Sequence, residues 1–327
     1  MEQFHSNEYF SIREMRRKEE KELGAAYNKV SLAPIIMMAV SYIISFVYYI
    51  LTLFIPNITS DTAIEIVNFI AYILALLIPA GVVFLLCRKN GDFPTAAPPK
   101  TSIFFPTLAL SFGVSYLGNY VSNYIAAIAS YFGITFTQPD FTAPEGGISF
   151  FLYFIQITIG AGLFEELLYR GVVLGALRRH GDKLAILVSA FLFALMHGNF
   201  VQMPFAFVLG IFYGYMVCRT GSIIYSVIFH ALNNTISVLM TLCLELFGED
   251  IYYNISVCFV VLSLVLGAIG LTSEIIKAKR GAVPPLKKDT GILTTAEKFG
   301  RLFRSPVAWV TIIIFGVMAL GYIEIGG

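Results

Sequence analysis

The sequence carries too little charge for a water-soluble protein of its length. Only 13% of its 327 residues are charged, 57% are hydrophobic and the mean hydropathy is +0.77. Soluble domains carry about 25% charged and about 45–50% apolar residues. This composition excludes a soluble enzyme, a disordered chain and a secreted disulfide scaffold. It predicts a protein that crosses the lipid bilayer several times.

The sequence also lacks the signals of redox, nucleic-acid and secreted proteins. Its four cysteines, at positions 87, 218, 243 and 258, lie in apolar runs without a C-x-x-C pair and are interpreted as small buried hydrophobes. The formal net charge is +1, so bulk charge does not suggest a nucleic-acid partner. The first 30 residues are charged, which argues against a cleaved signal peptide.

Long apolar runs predict an all-α, polytopic transmembrane helical bundle. A spanning helix needs about 20 largely apolar residues, and the sequence offers about nine such segments. They are 32–56, 63–87, 103–132, 149–177, 184–200, 203–218, 222–247, 251–276 and 306–325.

Basic residues predict the orientation of this bundle. All 22 lysines and arginines fall within 13–29, 88–100, 170–183, Arg219 and 277–304. These segments alternate with loops that contain no basic residue, and cytoplasmic loops normally collect Lys and Arg. We therefore expect the N-terminus inside the cell and the C-terminus outside.

The same map divides the chain into five parts, and no internal repeat is apparent. They are a cytoplasmic charged segment (1–31), three N-terminal transmembrane helices (32–148), a catalytic membrane core (149–276), a cytoplasmic basic connector (277–305) and a final transmembrane helix (306–327).

Three polar motifs interrupt apolar spans of the core. They are Glu165-Glu166-x-x-x-Arg170, Phe193-x-x-x-His197 and His230-x-x-x-Asn234. At 1.5 Å per residue, the ionisable groups lie about 17–21 Å from the nearest basic collar on three different helices. Ionisable residues at such depth are costly and indicate function.

Helical spacing suggests a role for each motif residue. Glu166 and Arg170 are four residues apart with the acid first, which favours an ion pair and leaves Glu165 for chemistry. His230 and Asn234 share one face, whereas Asn233 is turned away and is expected to bond a neighbouring helix.

A carboxylate and an imidazole around one water can act together in peptide hydrolysis. A second histidine and an asparagine can donate to a developing oxyanion. No serine or cysteine accompanies these groups as an obvious nucleophile, so direct attack by water is favoured. A Zn²⁺ site made by Glu165, His197 and His230 is the alternative, but the H-E-x-x-H motif is absent and no cofactor is expected.

The three motifs, in this order on membrane helices, resemble the CPBP family, which groups CAAX prenyl proteases with bacteriocin-processing proteins and is also called Abi. The resemblance covers roughly residues 150–240. It implies an intramembrane endopeptidase in which Glu165 and His197 activate water and His230 and Asn234 form the oxyanion site. Glu166, Arg170 and Phe193 are interpreted as supporting residues.

The expected partners are the lipid bilayer and a membrane-associated protein or peptide substrate, and the expected location is the bacterial plasma membrane. Two other functions stay open. An ion-coupled transporter could use the same residues as a proton relay, and a non-catalytic bacteriocin-immunity or partner-binding protein could retain a protease scaffold.

Overall fold

The computed structural model describes residues 2–55, 58–139, 144 and 147–326, with side chains from residue 11 onward. The described chain is almost entirely helical. Its α-helices are α1 (Glu2–Val30), α2 (Leu32–Thr52), α3 (Asp61–Cys87), α4 (Thr101–Tyr131), α5 (Gly147–Ile155), α6 (Leu174–Leu177), α7 (Asp182–Leu195), α8 (Met203–Thr220), α9 (Ile224–Lys279), α10 (Thr295–Leu302) and α11 (Pro306–Leu320).

Five further elements, of three kinds, complete the described fold. Two π-helical segments, Gln156–Glu165 and Leu167–Val173, join α5 to α6, and a 3₁₀ turn spans Arg178–His180. Two short strands, β1 (Ile134–Phe136) and β2 (Ile323–Ile325), pair antiparallel. The predicted fold class, a helical membrane bundle, is confirmed in these terms.

The ends of several helices follow familiar capping chemistry. The Ser60 hydroxyl accepts from the backbone N–H of Ala63 at the start of α3. Thr294 and Glu297 form a reciprocal capping box at the start of α10. These side chains satisfy N–H groups that the first turn of a helix leaves without a partner.

The structure does not establish all nine membrane spans that the sequence predicts. Within the described residues, six helices are long and apolar enough to cross a membrane, or up to seven if α10 and α11, bent by 67°, form one span. With 14 residues, α7 is shorter than a spanning helix needs. The 56-residue α9 breaks at Gly248, where φ is 78° and ψ is 179°, between the predicted seventh and eighth spans.

The basic segments gather at one end of the bundle. Arg16 pairs with Glu297 at 2.7 Å, and the Lys298 ammonium donates to the His180 carbonyl at 3.0 Å. The backbone N–H of Thr95 donates to the Gly221 carbonyl at 2.8 Å. The segments that the basic residues assign to one side of the membrane therefore lie together.

The segments assigned to the opposite side also lie together. Ile134 pairs with Ile325 in the sheet, Phe136 stacks on Phe200 with 5.2 Å between ring centroids, and Thr62 bonds Ser149 at 3.2 Å. This grouping agrees with the predicted alternation of loops. Which end faces the cytoplasm, and the five-part division of the chain, remain predictions.

The core of the bundle is formed by the π-helical segments, α6, α7 and α8, with one face of α1 and α3 packed against them. In contrast, α2, α4 and the second half of α9 present many large apolar side chains outward, as lipid-facing helices do. The three polar motifs lie on the buried elements and on the first half of α9.

Candidate active site

The first motif lies on π-helix rather than on the regular α-helix that the spacing argument assumed. In a π-helix the backbone hydrogen bonds join residues i and i+5. Such segments are rare in proteins as a whole, but those that occur are often found at functional sites. Glycine lets a neighbouring helix approach closely here, because a Cβ at Gly162 would lie 2.8 Å from the Cβ of Ala231. This contact places His230, the residue before Ala231, against the π-helical segments.

Glu166 is the centre of a buried ionic cluster. Its Oε1 accepts from Arg170 Nη1 at 2.8 Å and from His230 Nδ1 at 3.0 Å. Glu166 and Arg170 are fully buried and His230 is 5% exposed. The predicted Glu166–Arg170 pair is present in the structure. The contact from His230 to Glu166 was not predicted.

Aromatic rings cover the guanidinium of Arg170. Its central carbon lies 4.0 Å from the centroid of the Phe193 ring and 5.5 Å from that of Tyr213. Arg170 Nε and Nη2 have no hydrogen-bond partner among the described residues. Attraction between the cation and the ring faces therefore offsets part of the cost of burying this charge.

Glu165 lies beside this cluster and is 8% exposed. Its Oε1 accepts a hydrogen bond from the Tyr72 hydroxyl at 2.7 Å. Its Oε2 lies 3.8 Å from His230 Nε2. His230 thus stands between two carboxylates, bonded to Glu166 through one ring nitrogen and turned toward Glu165 with the other.

His197 lies in the turn just after α7 and is oriented by the backbone of that helix. Its Nδ1 lies 2.9 Å from the Phe193 carbonyl, which can only accept, so Nδ1 carries the proton and Nε2 a lone pair. The rings of Phe193 and His197 meet edge to face at 5.1 Å. The Phe193 ring also meets the His230 ring edge to face, with 5.8 Å between centroids, so this one side chain contacts both histidines.

Asn234 ties α9 to the π-helical segments. Its Nδ2 donates to the Ile157 carbonyl at 2.9 Å, and its Oδ1 accepts from Asn233 Nδ2 at 3.3 Å. The prediction that Asn233 bonds a neighbouring helix is therefore wrong, since Asn234 makes that contact. The close approach of Gly162 to Ala231 brings the face of Asn234, rather than that of Asn233, to the neighbouring backbone.

Two tyrosines at the site were missed by sequence reasoning. Tyr72 on α3 bonds Glu165, and the Tyr213 ring stacks on His230 with 5.6 Å between centroids. Both lie inside apolar runs, where an aromatic residue usually signals packing. For Tyr72 a signal did exist, because a tyrosine hydroxyl inside a membrane helix usually needs a hydrogen-bond partner. The Tyr213 hydroxyl has no such partner among the described residues, so the same reasoning would not have found Tyr213.

The site does not fit a preformed metal centre. With Nδ1 engaged, both histidines would offer Nε2, the usual orientation of metal-bound histidine. However, the part of the chain that the structure describes contains no group of three or more His, Cys, Asp or Glu side chains placed to hold a metal ion. The metal-free site stays a prediction.

Comparison with known proteins gives one match. Residues 147–236 match the family model described as type II CAAX prenyl endopeptidase Rce1-like. No curated protein and no solved structure shows significant similarity to the chain. The matched segment contains all three motifs, and the match implies protease activity in a multi-pass membrane protein. The predicted resemblance is thus confirmed: residues 147–236 are similar to the Rce1-like type II CAAX prenyl endopeptidases of the CPBP family.

Proposed function

We propose that this protein is an intramembrane endopeptidase that hydrolyses peptide bonds of membrane-associated proteins or peptides by means of a water activated by Glu165 and His197. One observation carries the proposal. The Glu165 carboxylate is buried 3.8 Å from His230, and Glu166 holds His230 in place from the other side. An acid that no lysine or arginine neutralises is costly inside a membrane bundle, and its presence beside an oriented imidazole indicates a function.

Glu165 and His197 have the properties required to activate one water molecule between them. No lysine or arginine is paired with Glu165 among the described residues, and His230 Nε2 lies 3.8 Å from Oε2, so the carboxylate can accept a proton from a bound water. The Nε2 lone pair of His197 is left available because Nδ1 bonds the Phe193 carbonyl. Water gives a proton to Glu165 while its oxygen attacks the peptide carbonyl, with His197 orienting the water. When the tetrahedral intermediate collapses, the C–N bond breaks and Glu165 returns the proton to the departing amine.

His230 and Asn234 are the residues that we assign to stabilising the intermediate. The Asn234 amide uses one N–H on the Ile157 carbonyl and retains a second. His230 donates from Nδ1 to Glu166, so a second bond from Nε2 to the oxyanion requires a ring that carries both protons. A donor to an oxyanion is worth about 2.7–4 kcal/mol of barrier.

The family match supports a peptide substrate presented at the membrane, and a prenylated C-terminal peptide is the substrate class that it suggests. The apolar outer helices support substrate approach from the lipid phase. We place the protein in the bacterial plasma membrane, as the compact loops of the sequence suggest.

The test is Glu165→Gln, which keeps the shape of the side chain and removes its basicity. Membrane proteins of cells producing the wild type or the variant are compared by mass spectrometry of their peptide termini. We expect unprocessed membrane-associated precursors to accumulate in the variant. Purified Glu165→Gln in liposomes should cleave a precursor so identified, or a synthetic peptide with a farnesylated C-terminal motif, about 10³-fold more slowly or worse.

Glu245→Gln is the matched control, because Glu245 is exposed near the end of a predicted span and touches none of the motif residues. It should process as the wild type does. Cleavage by Glu165→Gln at the wild-type rate would overturn the mechanism. Ion-dependent uptake into liposomes that is lost in Glu165→Gln, with all precursors unchanged, would instead favour the transporter.

A further inference from the structure

We propose that Tyr72 is a positioning residue of the active site, and that its hydroxyl fixes the carboxylate of Glu165 in the orientation that catalysis requires. This inference rests on the proposed function. It concerns a residue of α3, which lies outside the segment 147–236 that matches the protease family.

The two oxygens of Glu165 have different contacts. Oε1 accepts the short bond from Tyr72 at 2.7 Å, while Oε2 lies toward His230 at 3.8 Å. A carboxylate turns easily about its last torsion, since that well is broad and two-fold. A donor that holds one oxygen therefore directs the other, and Tyr72 is the donor that the structure provides.

Helix α3 holds Tyr72 firmly. The buried residues Ala75, Leu76, Pro79 and Val83 form a stripe on α3 with helical spacing, and Tyr72 continues this stripe. The ring of Tyr72 packs against the main core cluster. It also borders the π-helical segment, since a Cβ at Gly160 would lie 3.7 Å from Tyr72 Cε1.

The hydroxyl of Tyr72 is a donor that suits a catalytic carboxylate, because it brings no positive charge. A lysine or arginine at this place would neutralise Glu165 and remove its value as a base. A tyrosine hydroxyl donates a hydrogen bond without bringing a charge. The neighbouring Glu166, which is paired with Arg170, shows the contrasting arrangement for a carboxylate with a supporting role.

Tyr72→Phe is the decisive variant, because it removes one hydroxyl and keeps the ring. We expect kcat on the farnesylated synthetic peptide to fall about tenfold, roughly the worth of one hydrogen bond to a charged group, with KM changed less than about twofold. Tyr48→Phe is the matched control, because it also removes a tyrosine hydrogen bond, the one of 2.8 Å to the Ile58 carbonyl. It should leave kcat unchanged.

A second measurement needs no substrate. The infrared band of the Glu165 carboxyl group is isolated as the difference between wild-type protein and Glu165→Gln in lipid nanodiscs. We expect this band to move in Tyr72→Phe and to stay in place in Tyr48→Phe. A band that is the same in Tyr72→Phe and the wild type would overturn the inference, even if Glu165→Gln is inactive. Wild-type cleavage by Glu165→Gln, with a shifted band in Tyr72→Phe, would instead overturn the proposed function alone.

Discussion

Two charge networks in this molecule each pair a carboxylate with a basic side chain, and they differ in their exposure to solvent. In the middle of the bundle, Glu166 and Arg170 form an ion pair with neither side chain exposed. At the basic end, Lys287 pairs with Asp92, and their side chains are 56% and 39% exposed. Exposed pairs contribute little to stability, whereas breaking a buried pair leaves an uncompensated charge in an apolar surrounding. Burial, rather than the number of ion pairs, therefore decides how much a substitution lowers the free energy of unfolding.

The largest effect is expected at the buried pair. Arg170→Met should lower the free energy of unfolding by about 3–5 kcal/mol, because Glu166 would keep its charge without its main partner. Thermal unfolding in detergent micelles measures this. The double variant Glu166→Gln/Arg170→Met should recover part of the loss, since no unpaired charge remains. A double variant less stable than Arg170→Met would contradict this account of the cluster.

An intermediate effect is expected at Lys298, which belongs to the basic end but is fully buried. Its ammonium donates to the carbonyls of His180 and Thr290 at 3.0 and 2.5 Å and pairs with Glu19 at 3.3 Å. Lys298→Met should cost about 1–3 kcal/mol, because the carbonyls of His180 and Thr290 lose a charged donor. A cost below that of Asp92→Asn would show that location in the bundle matters more than burial.

The smallest effect is expected at Asp92. Asp92→Asn should change the free energy of unfolding by less than about 1 kcal/mol at neutral pH. Adding Lys287→Met to this variant should change stability little further, because the partner charge is already gone. A double-variant cycle that yields a coupling as large as that of Glu166 and Arg170 would break the comparison between the two networks.

The contribution of Asp92 should also depend on pH. A hydrogen bond from Lys287, followed by the charges of Arg178 and Lys287, lowers the pKa of Asp92 below its ordinary value of 3.8. Because the folded-state pKa is the lower one, the stabilisation is present above that ordinary value and is lost as the pH falls through the folded-state pKa. The stability difference between the wild type and Asp92→Asn, measured from neutral to acidic pH, should therefore shrink toward zero at the acid end.

The polar motifs made much of the site predictable from the sequence. Charges are so unfavourable in apolar helices that Glu166 and Arg170, spaced for an ion pair, had few alternatives to pairing with each other. The same cost indicated that Glu165, His197 and His230 meet inside the bundle rather than face lipid. The structure places all three in buried or partly buried positions.

Other features depend on contacts between distant segments and could not be read from local patterns. Tyr72 precedes Glu165 by 93 positions, and nothing in the α3 sequence names its partner. The π-helical geometry of residues 156–173 arises where this segment packs closely against distant parts of the chain, as Gly162 does against Ala231. The bond from Asn234 to Ile157 follows from the same packing.

The pairing of β1 with β2 has a consequence for biosynthesis. Ile325 leaves the ribosome long after Ile134, its partner in the sheet, has been inserted. The first strand must therefore wait, with its backbone groups bonded to water or lipid headgroups, until residues 323–325 have been made. Closure of this sheet thus depends on two segments about 190 positions apart, and a bulky group attached beside β2 would interfere with it.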